Sequence, residues 1–251
     1  MFQEERLRAI VNHLKSSKRI SIDEICELFH VSRDTARRDL VKLEEEKAIL
    51  RTRGGAILPS NHNEVKDYTN RLHLVSDEKQ RIGKKAASLI HPGDYVILDT
   101  STTVQACAEH LEDIDVTIIT SSINQADILS KNKQAHIHLL GGLLQKEHRY
   151  VYGTAVLDKL SEYYVDRTFI GVIGISEAGL TVAHEEDGVV MKKMMQQAKQ
   201  VVLLADHTKI GVTGYYRFGT LDDIDLFITD REPDKEFQKL LEKSQVEMII
   251  A

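Results

Sequence analysis

The run Ser32-Arg33-Asp34-Thr35-Ala36-Arg37-Arg38-Asp39-Leu40 puts three arginines and two hydroxyls into nine residues. With Ala36 and Leu40 facing a core, Arg33, Thr35, Arg37 and Arg38 project from the other faces of a helix capped by Ser32. Arginine pairs bidentately with guanine O6 and N7, and threonine reaches a phosphate or a thymine methyl. Helix N-terminal amides also favour a phosphate. Further on, Arg51-Thr52-Arg53-Gly54-Gly55 sets two cations at the tip of a narrow hairpin, suited to a DNA backbone or minor groove. Arg37 and Arg38 have acids within reach (Asp34, Asp39 and Glu44) and would then pair on a solvated face. Any one of these residues alone favours that reading. The order of turn, capped arginine helix and Arg-Gly-Gly hairpin favours DNA.

A second set is dispersed: Asp99-Thr100-Ser101-Thr102-Thr103, Thr120-Ser121-Ser122, Gly141-Gly142, Gly174-Ile175-Ser176 and Asp206-His207-Thr208-Lys209. Hydroxyls and amides at helix starts suit a phosphate, and Lys209 supplies a point charge. Asp99 and Asp206 would accept the hydroxyls of a polyol. Each loop alone reads as a cap or a turn; their repetition points to a pocket for a small phosphorylated sugar. His184-Glu185-Glu186-Asp187-Gly188-Val189-Val190-Met191-Lys192-Lys193 is either a general acid/base set or acids answering a helix dipole ahead of solvated lysines. His136-x-His138 has no third ligand nearby, so solvent-facing strand histidines are expected and no metal. No G-x-S-x-G, P-loop or Ser-His-Asp order appears.

These residues need elements to hold them. Leu7, Ile10, Val11 and Leu14 repeat at helical spacing over residues 2–16. A second helix starts at Ser21 or Asp23 and ends at Phe29, with Ile25 and Leu28 inward. After the turn His30-Val31-Ser32, the arginine helix runs to about Glu46 with Ala36, Leu40 and Leu43 on one face. Residues 49–58 read as two short strands around Gly54-Gly55. The result is a winged helix-turn-helix, whose third helix enters the major groove. Residues 59–75 are polar and aperiodic, a linker. Apolar runs then recur at 95–98, 116–119, 137–140, 169–173, 201–205, 226–229 and 246–250. Helical patterns stand at 77–90, 102–112, 122–131, 154–162, 186–199 and 234–244. Strands apolar on both faces and alternating with helices indicate a mostly parallel sheet covered on both sides. Ligands of such sheets collect at the strands' carboxyl ends, where the dispersed loops fall.

The 251-residue chain carries a net charge of −6, unevenly spread. Residues 1–58 hold 12 Lys+Arg against 10 Asp+Glu, and the remainder 21 against 29. A slightly basic head on an acidic body permits nucleic-acid binding by the head only. No apolar run approaches the roughly 20 residues that span a bilayer, and the charged N-terminus lacks a signal core. Cys26 and Cys107 stand far apart, excluding a disulfide scaffold and fitting a reducing cytoplasm.

Val31-Ser32-x-x-Thr35-Ala36-Arg37-Arg38-Asp39-Leu40-x-x-Leu43-Glu44, followed by Arg53-Gly54-Gly55-Ala56, closely resembles the DeoR-type bacterial transcription regulators. That family usually has Ile or Val at Ala36, Gly near Lys47-Ala48 and His at Arg53. The resemblance covers nearly the whole chain. Lys79-x-Arg81-Ile82-x-x-x-Ala86-Ala87, Gly93-Asp94, Asp99-x-x-Thr102-Thr103, Gly141-Gly142, Asp166-x-x-Phe169-Ile170-Gly171, Gly174-Ile175 and Asp206-x-x-Lys209 look like the family's sensor domain. Thr120-Ser121 stands where the family often has Thr-Asn. The resemblance implies a body similar to ribose-5-phosphate isomerase and CoA-transferase folds that responds to phosphorylated sugars. It assigns effector contacts to Asp99, Thr102, Thr103, Gly141, Gly142, Asp206 and Lys209, with Glu186 and Lys192 bordering the pocket.

The expected architecture is therefore a winged helix-turn-helix (1–58), a linker (59–75) and an α/β effector-sensing and oligomerisation domain (76–251). The expected function is a cytoplasmic, DNA-binding transcriptional repressor of a sugar or carbohydrate catabolic operon, controlled by a phosphorylated sugar or related metabolite. Ser32, Arg33, Thr35, Arg37, Arg38, Arg51, Arg53, Gly54 and Gly55 would meet double-stranded operator DNA. Asp99, Ser101, Thr102, Thr103, Thr120, Ser121, Gly141, Gly142, Glu186, Lys192, Asp206 and Lys209 would meet the effector. No cofactor, catalytic residue or membrane partner is expected, and a homo-oligomer (dimer or tetramer) is. The rivals are a sugar-phosphate isomerase or acyl/CoA-transferase-like enzyme with an appended DNA-binding head, and a purely architectural DNA binder.

Overall fold

The computed structural model describes residues 3–17, 19–45, 48–52, 54–57 and 77–251. The chain divides into two compact units, Met1–Glu64 and Val65–Ala251. The linker expected at 59–75 lies outside the described residues.

In the first unit, helices α1 (Gln3–Ser17), α2 (Ile22–Phe29) and α3 (Arg33–Glu45) enclose a core that includes Ile10, Leu14, Ile25, Ala36 and Leu40. Ser21 starts α2 with a capping box: its hydroxyl accepts from Glu24 N, and Glu24 accepts from Ser21 N. His30 ends α2 in the left-handed conformation. Ser32 Oγ then accepts from Thr35 N at 3.2 Å to begin α3. Leu28 is not inward, as the sequence suggested; it is 51% exposed. The buried stripe of α2 is Ile22, Ile25, Cys26 and Phe29, the i, i+3, i+4, i+7 set, and Leu28 lies off it. The wing has three strands rather than two: β1 (Arg19–Ser21) pairs with β3 (Gly55–Ile57), which pairs with β2 (Leu50–Thr52).

The second unit is built on seven parallel strands: β4 (Tyr95–Leu98), β5 (Val116–Thr120), β6 (Ala135–Leu139), β9 (Val165–Gly171), β12 (Ala198–Leu204), β14 (Leu226–Thr229) and β15 (Glu247–Ile250). All seven expected strands are in this sheet. Their order is β15-β14-β12-β9-β4-β5-β6. The winding thus reverses between β4 and β9. Helices cover both faces. Val96 and Leu98 of β4 pack with α4 (Asp77–Ala87) and α5 (Thr102–Glu109), while Ile97 packs on the other side with Val190 and Met194 of α8 (Glu185–Gln196). α6 (Ile123–Leu129), α7 (Thr154–Leu160) and α9 (Lys235–Lys243) complete the layers. Two antiparallel additions were not foreseen: the hairpin β7 (Leu143–Gln145) and β8 (Tyr150–Tyr152), and a small sheet of β10 (Gly174–Ser176), β11 (Gly179–Val182) and β13 (Tyr216–Gly219). Gly174-Ile175-Ser176 is therefore a strand of its own and not a loop after β9.

Candidate nucleic-acid interface and ligand site

Burial of Ala36, Leu40 and Leu43 turns Arg33, Arg37 and Arg38 of α3 outward. Arg33 is 64% exposed and lies 3.0 Å from Asp23, while Arg37 is 3.9 Å from Asp34. Arg51 of β2 reaches Glu44 at 3.4 Å. Arg38 is exposed and has no ion pair among the described residues. Exposed pairs of this kind are worth about 0–1 kcal/mol, so a phosphate competes with them easily. The acid that could have neutralised the helix is committed elsewhere. Asp39 is fully buried and takes a bidentate Arg6, at 2.5 and 3.1 Å, and the Gln3 amide at 3.0 Å. At the wing tip, Gly54 has φ +105°, a conformation open to glycine. Gly55 is required by packing, because a Cβ there would collide with Ile20 O. Arg53 lies outside the described residues.

The second site lies where the sheet's winding reverses. Asp99 follows β4, Gly171 ends β9, and Ser121 follows β5, all on the carboxyl edge. Two cavities there share Asp99, Thr100, Tyr150, Asp187 and Met191. The larger has room for about 70 Å³ and adds Ser101, His148 and Gly171 to its wall. The smaller adds Ser121, Val190 and Met194. The Asp99 carboxylate accepts from Ser101 N at 2.8 Å and from Gly171 N at 2.7 Å. Burial pushes its pKa up to about 6 against the pull of those amides. Gly171 must be glycine, since a Cβ would strike Ser101 Oγ. Tyr150 donates to Asp187, and burial together with that carboxylate raises the phenol's pKa.

The structure sorts the other expected effector residues. Ser101 caps α5 by accepting from Val104 N, and Thr102 and Thr103 are buried in the first turn behind it. Thr120 donates to Gln125 Oε1 and accepts from Ser122 N; Gln125 in turn donates to Asp99 O. Gly141 and Gly142 are exposed beyond β6, and a Cβ on Gly142 would meet Tyr152 O at 2.5 Å. Asp206 accepts from Thr208 N at 3.0 Å and from the Thr208 hydroxyl, capping a short 3-10 turn that ends at half-buried Lys209. Glu186 is exposed, whereas its neighbour Asp187 lines the cavities. Lys192 lines a different groove, with Arg217 and Asp223. Sequence reasoning did not single out His148 or Tyr150, and it named Asp187 only within the acidic start of residues 184–193. Asp187 carried a signal, being one of three acids in the first turn of α8. No group of three or more His, Cys, Asp or Glu able to hold a metal occurs among the described residues, and no described helix is long and apolar enough to cross a membrane.

Residues 6–62 match the DeoR-like helix-turn-helix domain, and residues 75–231 match the DeoR C terminal sensor domain. The chain belongs to the DeoR family. Within this family it is 60% identical over 250 residues to the HTH-type transcriptional repressor GlcR of Bacillus subtilis (strain 168), covering 100% of this chain and 97% of that one. It is 30% identical to the glycerol-3-phosphate regulon repressor of Escherichia coli (strain K12), over 99% of both. A solved ribose 5-phosphate isomerase from Methanocaldococcus jannaschii overlaps 53% of each chain at 20% identity with a TM-score of 0.39. So partial an overlap carries no argument about a DeoR sensor domain. The DeoR match does account for the pairing of an arginine-bearing helix-turn-helix with a doubly wound ligand fold.

Proposed function

We propose that this DeoR-family chain is a cytoplasmic transcriptional repressor of a carbohydrate operon, released from its operator by a small phosphorylated sugar. The observation that carries the reading is the outward face of α3. Its arginines hold only weak surface pairs, while Asp39 is withdrawn into the core by Arg6. Arg33, Thr35, Arg37 and Arg38 then meet the major groove, and Arg51, Arg53 and Gly54 the flanking backbone, while buried Gly55 shapes the wing that carries them. Ser32 sets the helix start. The names of the two repressor relatives support the sign of regulation, and the glycerol-3-phosphate regulon repressor supports a phosphorylated effector.

The effector site is assigned to the carboxyl edge of the sheet at its reversal point, where doubly wound folds bind ligands. Asp99, Ser101 and Ser121 belong to it directly. Thr102, Thr103, Thr120, Gly141, Gly142, Asp206 and Lys209 stand along the same edge, and Glu186 and Lys192 on α8. The chain acts as a sensor and not as an enzyme, and it works as a homo-oligomer, since two heads reading two half-sites gain specificity that one head lacks. The domain limits are 1–58 for the head and 76–251 for the sensor. The test is fluorescence anisotropy on the chain's own upstream DNA, with and without a panel of sugar phosphates, beside a turnover assay on the same panel. Operator binding that a sugar phosphate weakens, without turnover, is the expected result. Turnover supports the enzyme rival, and no DNA binding even at low salt removes the reading.

A further inference from the structure

A groove with room for about 350 Å³ lies between α8 and β13, where the reversal-point cavities have about 70 and 10 Å³. Small-molecule sites begin at roughly 300 Å³. Lys192 and Gln196, one helical turn apart, line the groove from α8, and Arg217 lines it from β13. Both cations are exposed, and neither has a carboxylate partner among the described residues. Arg217 reaches only Ala178 O, at 3.4 Å. The carboxylate in the wall, Asp223, accepts the Thr220 amide at 2.7 Å and the Thr220 hydroxyl at 2.8 Å, which holds it in the cap of the 3-10 turn Leu221–Asp223. Two cations therefore stand against one carboxylate here, in a body where acids outnumber bases. Gly219 keeps the groove open, since a Cβ there would lie 3.2 Å from Met195 Cε and 3.4 Å from Asp223 Oδ2. Like charges lining one cleft repel, and an anion between them relieves that repulsion. A guanidinium fork fits two phosphate oxygens, and an ammonium adds a point charge. Gln196 offers an amide, and Thr220 a hydroxyl oxygen, to the rest of a polar ligand. The aromatic ring in the wall, Phe218, is 3% exposed and presents no face on which a nucleobase could stack.

We propose that the groove between α8 and β13 is a second small-molecule site, which holds the phosphate monoester of a polar, non-nucleotide metabolite between Lys192 and Arg217. The site is separate from the cavities assigned to the effector, and of the effector residues named above only Lys192 lies on it. Arg217 takes phosphate oxygens bidentately, Lys192 neutralises the remaining charge, and Gln196 and Thr220 bond the hydroxyls of the ester. α8 lines both kinds of site, through Met191 in the cavities and Lys192 in the groove, so either ligand bears on the same helix.

The test is chemical protection of the full chain at low salt, read peptide by peptide by mass spectrometry. Acetylation reports Lys192, phenylglyoxal reports Arg217, and Lys239, exposed on α9, is the reference. The probes are glucose 6-phosphate, glycerol 3-phosphate and inorganic phosphate, with glucose and glycerol as neutral controls. A phosphate ester is expected to slow modification of Lys192 and Arg217 but not of Lys239, and the neutral controls to slow none. Arg217→Gln should weaken the ester's protection of Lys192 by about tenfold or more, the loss that follows removal of a charge-assisted contact. Arg217→Lys should restore part of it. Both variants replace an exposed side chain, so the fold survives them. Protection of neither residue, of Lys192 alone, or of Lys239 equally overturns the site, and protection by inorganic phosphate only marks an adventitious ion and overturns it too. Operator release by the same esters is measured on Arg217→Gln beside the unaltered chain. Release retained while protection is lost is expected. Release lost together with protection makes the groove the effector site and overturns its separateness. No protection with release intact overturns the groove and leaves the effector reading standing; protection without release does the reverse.

Discussion

The Asp99 carboxylate is buried at 2% exposure and held by two backbone amides, one on each oxygen. Its pKa rises from 3.8 to about 6, chiefly through burial. Because the folded value lies above the unfolded one, the native state binds more protons between about pH 4 and 6. The group's contribution to stability is therefore complete below pH 4 and lost as pH rises through 6, a change on the order of 3 kcal/mol. Asp99→Asn removes this titration but leaves an amide group facing one of the two backbone donors. The variant is expected to be less stable by about 1–3 kcal/mol, and the wild-type advantage should decline from pH 4 to pH 6.5. The chain has no tryptophan and its first tyrosine is Tyr68, so tyrosine fluorescence in urea at each pH follows the sensor without signal from the head. An advantage that grows with pH would place Asp99 in a far more polar setting than the structure gives it. On the head, Arg38→Ala should weaken operator binding and reduce the salt slope by about one if Arg38 neutralises a phosphate. Arg38→Lys should keep the slope. Binding unchanged at several salt concentrations would remove Arg38 from the interface.

Between elements, a buried polar contact that ties α3 to α1 is the Arg6–Asp39 pair, with side chains 8% and 0% exposed. Breaking a buried pair from one side strands a charge and costs about 3–5 kcal/mol, whereas a well-packed apolar replacement of both partners is often neutral. Arg6→Ala is thus expected to unfold the head early, and Arg6→Met with Asp39→Leu to restore it, as read by helical circular dichroism on heating. A similar closeness joins α4 to α5: a Cβ on Gly83 would lie 2.6 Å from Ala106 Cβ and 2.7 Å from Cys107 N. The five inner sheet strands were legible because a strand buried on both faces is an unbroken apolar run, as in Val96-Ile97-Leu98 or Leu226-Phe227-Ile228. The antiparallel additions were not, since β7, β8, β10 and β11 span three or four residues each and carry glycines, exposed leucines or tyrosines. The loops at the carboxyl edge could be read once the strands were parallel. Which of them meet depends on strand order, and only the adjacency of β4 and β9 brings Asp99 beside Gly171. Tyr150 and Asp187 are 37 residues apart on a hairpin and a helix start, and no local pattern ties them together. The pairing of Asp39 with Arg6 was hidden for the same reason, and in its absence the nearer Arg37 and Arg38 looked like its partners.

At the scale of the chain, a DNA-binding unit and a ligand-binding unit make a switch only if the two binding events are coupled. A ligand held equally well by operator-bound and operator-free protein shifts nothing, however tightly it binds. Coupling is reciprocal: if the effector lowers operator affinity by some factor, the operator lowers effector affinity by the same factor. Such factors run from about 5 to 150. Charge makes the coupling worth having. The body carries eight more acids than bases and the head only two more bases than acids, so non-specific attraction to DNA is weak and specific contacts carry much of the affinity. On the proposed homo-oligomer reading, losing alignment of even one head against its half-site would then release the operator. The expected outcome is that operator affinity measured with and without saturating sugar phosphate, and sugar-phosphate affinity measured with and without saturating operator, give the same ratio at one fixed salt concentration. A ratio of one in both directions would leave a DNA binder carrying a passive pocket. Ratios that differ from each other would mean that the protein changes its oligomeric state between the two measurements, which sedimentation at the same concentrations would reveal.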